Sequence, residues 1–188
     1  MAGYSSGIGF YGDSLASNGC GLENCYSLGD VSGNTYAGGI AGYTILSGII
    51  KNCYTAGNIY SSSASVGGVV GLGRLGRTST TIKNCIALNK SIEGAVGRIV
   101  NGGALSNNYS RSDMDATVGG TPYIPDDTIN ADDNKDGADI TEAQWNSADW
   151  WEHTALFDPE VWELADGRLP VLIGVGGPQN PQVQAFDD

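Results

Sequence analysis

The chain has 188 residues, a formal net charge of −12 at pH 7, 29 glycines and 40% apolar residues. So much glycine without a strict every-third-residue pattern excludes collagen, and the apolar content excludes low-complexity disorder. The acidic balance sets aside nucleic acid and anionic membrane as partners. No apolar run approaches the roughly 20 residues that a membrane-spanning helix needs, so no membrane insertion is expected within these residues.

Glycine and charge divide the chain unequally. Residues 1–110 hold 22 of the glycines and carry six Lys/Arg against four Asp/Glu, a net of +2. Residues 111–188 carry three Lys/Arg against seventeen Asp/Glu, a net of −14. Met1-Ala2-Gly3-Tyr4 has neither a basic nor an apolar leader region, and the chain opens almost inside a repeat. An excerpt of a longer protein is therefore expected.

The first 110 residues repeat one pattern four times. A glycine-flanked apolar pair recurs as Gly9-Phe10-Tyr11-Gly12, Gly39-Ile40-Ala41-Gly42, Gly68-Val69-Val70-Gly71 and a degraded Arg98-Ile99-Val100-Asn101. An aliphatic-x-Asn block follows each time: Leu22-Glu23-Asn24-Cys25-Tyr26, Ile50-Lys51-Asn52-Cys53-Tyr54, Ile82-Lys83-Asn84-Cys85-Ile86 and Leu105-Ser106-Asn107-Asn108-Tyr109. A third piece reads Gly29-Asp30-Val31 and Gly57-Asn58-Ile59. Each unit has room for three short strands with turns between them, and a fixed period of about 30 residues indicates stacked supersecondary units. The expectation is an all-β fold: a parallel right-handed β-helix or solenoid of about four coils, closed by a mixed C-terminal cap.

Residues 111–130 are irregular, and Asp132-Asp133-Asn134-Lys135-Asp136-Gly137 is an Asx-rich loop. Thr141 with Glu142 begins a short helix through Ala148. Val161–Leu164 and Leu169–Ile173 read as strands around the turn Ala165-Asp166-Gly167-Arg168. All four tryptophans lie beyond residue 144. Bulky residues gathered there suit a cap that ends an exposed sheet edge. The boundaries expected are repeats over 1–110, an acidic connection and aromatic cap over 111–173, and a tail or linker over 174–188.

The repeat Gly-Gly-Ile/Val-x-Gly … Ile-x-Asn-Cys-Tyr-x-x-Gly-Asn/Asp-Ile/Val resembles the GLUG motif. That motif belongs to bacterial secreted and cell-surface proteins, including adhesin-like proteins of gut bacteria and the non-catalytic region of IgA1-specific metallopeptidases. The resemblance covers about residues 7–110. Leu156-Phe157-Asp158, Val161-Trp162 and Asp166-Gly167-Arg168-Leu169-Pro170-Val171-Leu172 are similar to the segment that often ends such arrays. The fourth repeat departs, with Asn108 in place of Cys and Asn101 in place of Gly. The resemblance implies an extracellular or bacterial surface location and implies no activity. A host glycan or an extracellular protein is the partner class that location suggests.

Candidate sites are read from the residues. Cys25, Cys53 and Cys85 share one repeat position without zinc-site spacing or a nearby His, so a ladder of packed thiols is expected rather than a metal site or disulfides. Asn24, Asn52, Asn84 and Asn107 tolerate left-handed backbone and can bond amide to amide, a corner device. Tyr26, Tyr54 and Tyr109 follow them. They form an outward aromatic stripe for sugar or peptide, or they are core if the Asn turn resets the alternation. Asp132, Asn134 and Asp136 take positions 1, 3 and 5 of an EF-hand-like loop with Gly137 at position 6, but position 12 is Ala143. Calcium is therefore a weak candidate, and no other cofactor is expected.

Catalysis has little support. His153 is the single histidine, so no two-histidine metal site can form, and no phosphate-binding glycine loop is present. The expectation is a non-catalytic structural or adhesion module of a larger secreted or surface protein. The alternatives are a polysaccharide-active enzyme using the Arg74, Arg77 and Lys83 region, and a calcium-stabilised carbohydrate- or protein-binding module.

Overall fold

A computed structural model describes residues 21–44, 48–62, 65–73, 79–94, 96–125 and 131–175. The first glycine block, Cys20, Arg74, Arg77 and residues 126–127 lie outside the described residues.

The strands follow the repeats in chain order. The first described stretch gives β1 (Gly21–Glu23), β2 (Tyr26–Ser27) and β3 (Val31–Gly33). The next gives β4 (Ala41–Thr44), β5 (Ile49–Thr55) and β6 (Ile59–Ser61), then β7 (Val70–Gly73), β8 (Thr81–Ala87) and β9 (Ser91–Glu93). The last repeat gives β10 (Val100–Asn101), β11 (Ala104–Ser106), β12 (Tyr109–Arg111) and β13 (Asp115–Val118). Beyond it lie β14 (Thr121–Pro122), β15 (Ala138–Ile140), α1 (Glu142–Trp145), α2 (Ala148–His153), β16 (Trp162–Glu163) and β17 (Val171–Leu172).

Strands from equivalent repeat positions pair in parallel. A seven-stranded sheet runs β1-β5-β8-β12-β15, with β2 beside β5 and β11 beside β8. A three-stranded sheet runs β10-β7-β4, and a five-stranded sheet runs β14-β13-β9-β6-β3. The register aligns like with like: Ile50↔Ile82, Lys51↔Lys83 and Cys53↔Cys85.

The all-β class holds, but the expected right-handed solenoid with a mixed cap is corrected. The strands form four separate sheets, parallel and mixed, and none of them makes a solenoid. Two pairings run against the parallel pattern. Gly119 and Gly120 take positive φ and turn the chain back, so β14 pairs antiparallel with β13. In the fourth sheet, β16 and β17 form an antiparallel pair.

Three apolar clusters hold the sheets. Ile50, Ile82, Cys53 and Cys85 of the seven-stranded sheet pack with Ala41, Val69, Val70 and Val100 on and beside the three-stranded one. Val31, Ile59, Ile92 and Ala116 of the five-stranded sheet form a second cluster with Ala37 and Val66. The third joins the tyrosine row to the C-terminal segment. Glycine is required where the sheets come closest. A Cβ on Gly68 would stand 2.5 Å from the Arg98 carbonyl and 2.6 Å from the Ala87 methyl.

Asparagine sets the corner in each repeat. Asn24, Asn52, Asn84 and Asn107 all take the left-handed conformation, with φ of 55°, 53°, 52° and 53°. Their amides form a continuous line. Asn52 Nδ2 donates to Asn24 Oδ1 at 3.1 Å, Asn84 to Asn52 at 2.9 Å and Asn107 to Asn84 at 3.0 Å. The left-handed residue also resets the strand alternation. Ile50 and Cys53, three apart, thus share one core, while Tyr54 faces the other.

Asn84→Ala should therefore cost about 3 kcal/mol. It loses two amide bonds and places a Cβ-bearing residue without compensation at positive φ. Asn84→Gly, which keeps the backbone at ease, should cost visibly less in urea unfolding. Equal losses in the two variants would refute the corner role.

Candidate functional site

The tyrosine row lies beneath the C-terminal segment. Tyr26, Tyr54, Ile86 and Tyr109 are neighbours in register across β2, β5, β8 and β12. Tyr26 and Tyr54 stack with centroids 5.2 Å apart and planes 4° apart. Against them lie Trp145, Trp150, Trp151, Phe157, Trp162 and Leu169. Tyr54 meets Trp151 and Trp162 at 5.6 and 5.9 Å, and Tyr109 meets Trp150 edge-on at 5.2 Å. Tyr54 is fully buried, and its hydroxyl donates to the Pro170 carbonyl at 2.7 Å. Burial pushes its phenol well up, and neighbouring Tyr26 adds to this.

The local sequence shapes the cover. Thr141 and Gln144 form a capping box at the start of α1, and the Ser147 side chain accepts from the Trp150 amide at the start of α2. Leu156, at φ 60°, ends α2 by a reversed turn in which the Phe157 amide bonds the Trp151 carbonyl. The Trp151 indole donates to the Trp145 carbonyl at 2.7 Å. Asn107 ties this cover to the amide line by donating to the Thr154 carbonyl at 3.1 Å. The row's three tyrosines are thus occupied within the chain.

The acidic loop is also committed internally. Asn134 Oδ1 accepts the amides of Asp136 and Gly137, at 2.7 and 2.9 Å. The Asp136 carboxylate is buried and accepts from the Arg98 amide at 3.0 Å, the Tyr123 hydroxyl at 2.9 Å and Lys135 Nζ at 2.9 Å. Lys135 also bonds the Tyr123 hydroxyl. Burial pulls the Lys135 ammonium down, but Tyr123 and Asp136 outweigh it and hold the group above its usual range. Asp132 gives its backbone carbonyl to the Asn108 amide. No group of three or more His, Cys, Asp or Glu side chains placed to hold a metal ion occurs among the described residues.

Among the described residues, Cys25, Cys53 and Cys85 are free thiols that each donate to the carbonyl two residues back, of Glu23, Lys51 and Lys83, at 3.3, 3.1 and 3.2 Å. Contact with Cys53, then burial, pushes the Cys25 thiol up. Cys25 pulls Cys53 down, but its bond with Cys85 and burial prevail, and the net shift is upward. Asn108, at the cysteine position of the last repeat, is fully buried. It accepts from the Cys85 amide at 3.1 Å and donates to the Ile82 carbonyl at 2.9 Å. Lys83 stands beside Lys51, which pairs with Glu23 at 2.9 Å.

Reading the repeats missed Tyr36 and Tyr43. Their rings stack at 5.1 Å with planes 21° apart, and Tyr36 is 38% exposed. Neither lies in the Asn-Cys block that drew notice. No distinguishing signal marks them in the sequence: the uncharged stretch from Val31 to Ile50 is matched by the longer one from Asn52 to Gly73.

No family model matches the chain, and no curated protein matches it. Among solved structures it is similar to a candidate immunoglobulin A1 protease from Bacteroides ovatus, with a TM-score of 0.50 and 22% identity. The match covers 76% of this chain and 44% of that one, so this chain spans less than half of its neighbour. The likeness is one of fold. No helix among the described residues is long and apolar enough to cross a membrane.

Proposed function

We propose that this chain is a non-catalytic structural module of a larger bacterial secreted or cell-surface protein, serving as a stiff spacer and display surface. The observation that carries this reading is the in-register parallel pairing of successive repeats, with Ile50↔Ile82, Cys53↔Cys85 and Thr55↔Ala87 in one ladder. Such pairing ties each repeat to the next by a row of backbone hydrogen bonds, which stiffens the block against bending. The resemblance of the repeats to the GLUG motif supports an extracellular setting. So does a fold shared with part of a Bacteroides protein named as a candidate protease.

Single-molecule stretching tests the mechanical role. The module, held between two reference domains, should hold to a force well above that of a slack chain and then yield in steps, repeat by repeat. Gradual extension at low force would remove the spacer reading. The non-catalytic part is tested by incubating the chain with immunoglobulin A1 and with neutral and acidic polysaccharides. Cleavage of any of these, lost on changing Lys83, would replace it with an enzyme.

A further inference from the structure

We propose that Tyr36 and Tyr43 form a binding platform for an uncharged oligosaccharide. Tyr36 directly precedes Ala37, whose bridge to Val66 places Tyr36 next to Ser65. Tyr43 lies in β4 in register with Leu72 of β7, which in turn is in register with Asn101 of β10. Asn101 Nδ2 donates to Ser65 Oγ at 2.9 Å, which joins the two rows into one patch. The patch is thus two stacked rings bordered by an apolar side chain, an amide and a hydroxyl.

These groups fit a sugar. The axial C–H face of a pyranose lies flat on an aromatic ring, while hydroxyls at its rim exchange hydrogen bonds with neutral amides and alcohols. The charge pattern selects an uncharged ring. Residues 31–50, which hold both tyrosines, carry no charge, so the platform's own segment offers a uronic or sialic acid no cationic partner. Size argues against a protein partner. Two tyrosines supply at most about 500 Å² of contact, below the about 800 Å² per partner of a standard protein interface. The other tyrosine row is already covered by the chain's own tryptophans, so it offers no competing platform among the described residues.

This inference rests on the display reading above and adds a ligand class to it. The test is native affinity electrophoresis of the intact chain in gels holding galactomannan, arabinoxylan, yeast mannan or mixed-linkage glucan. Polygalacturonate and gelatin serve as acidic and protein arms. At least one neutral polysaccharide should retard the chain. Tyr36→Ala should weaken that retardation about tenfold or more, with only a small fall in melting temperature, since the ring is 38% exposed and gives up its stack on Tyr43. Tyr36→Phe, which keeps the stack, should retain it. No retardation by a neutral polysaccharide overturns the proposal. So does retardation by polygalacturonate or gelatin alone, or a loss in Tyr36→Phe as large as in Tyr36→Ala. The stretching experiment is unaffected by any of these outcomes, so failure here is distinguishable from failure of the spacer reading.

Discussion

Replacing Trp151 with alanine is expected to cost about 3–5 kcal/mol and to release the C-terminal segment from the tyrosine row. Trp151 is 1% exposed and stands at the centre of the cover. Its ring meets Phe157 at 4.8 Å, Trp150 at 5.3 Å and Tyr54 at 5.6 Å. Alanine removes all three ring contacts and leaves the Trp145 carbonyl without its indole donor. A cavity of indole size between a sheet and two short helices cannot close without moving both. Near-UV circular dichroism should lose most of its aromatic signal, and the chain should become cleavable at Arg168 by trypsin. Wild-type protease resistance, with a loss below about 1 kcal/mol, would mean the cover does not depend on this residue.

Asp136→Ala should cost a similar amount, about 3–5 kcal/mol, for a different reason. Its carboxylate is 2% exposed and serves three donors from three places in the chain: the Arg98 amide, the Tyr123 hydroxyl and the Lys135 ammonium. Removing it strands the buried Arg98 N–H, takes the acceptor from the Tyr123 hydroxyl and leaves the Lys135 ammonium, 34% exposed, without its ion-pair partner. Asp136→Asn keeps an acceptor and should recover part of the loss. Calcium should leave the wild-type melting temperature unchanged, because these donors already occupy the carboxylate. A clear rise with calcium, abolished in Asp136→Ala, would show instead that the loop rearranges around the ion. Chemical denaturation and calorimetry with and without chelator measure both effects.

The recurrence of Ile/Leu-x-Asn-Cys carries much of the register in the sequence. A residue type repeated at constant spacing becomes its own neighbour across parallel strands, as Cys53 and Cys85 do. The division into four sheets is not legible in that way. It depends on where the chain reverses, and Gly119-Gly120 resembles other glycine-rich turns of the sequence while producing an antiparallel pair. The place of the tryptophans was also hidden. Their clustering indicates a bulky cover, but which face they cover follows from the reset at Asn52 that turns Tyr54 away from Cys53. The partners of the acidic loop are hidden for a third reason. Its spacing suggests a cation site, yet the donors that take up Asp136 include Arg98, 38 residues away.

The thiol line has a practical use. Cys53 and Cys85 are fully buried and bonded to backbone carbonyls, so a thiol reagent reaches them only when the sheets part. With Cys20 and Cys25 changed to serine, the rate of colour release from a disulfide reagent would count openings of the central strands under native conditions. The protein thus carries its own clock for breathing motions, readable without denaturant and without an added label.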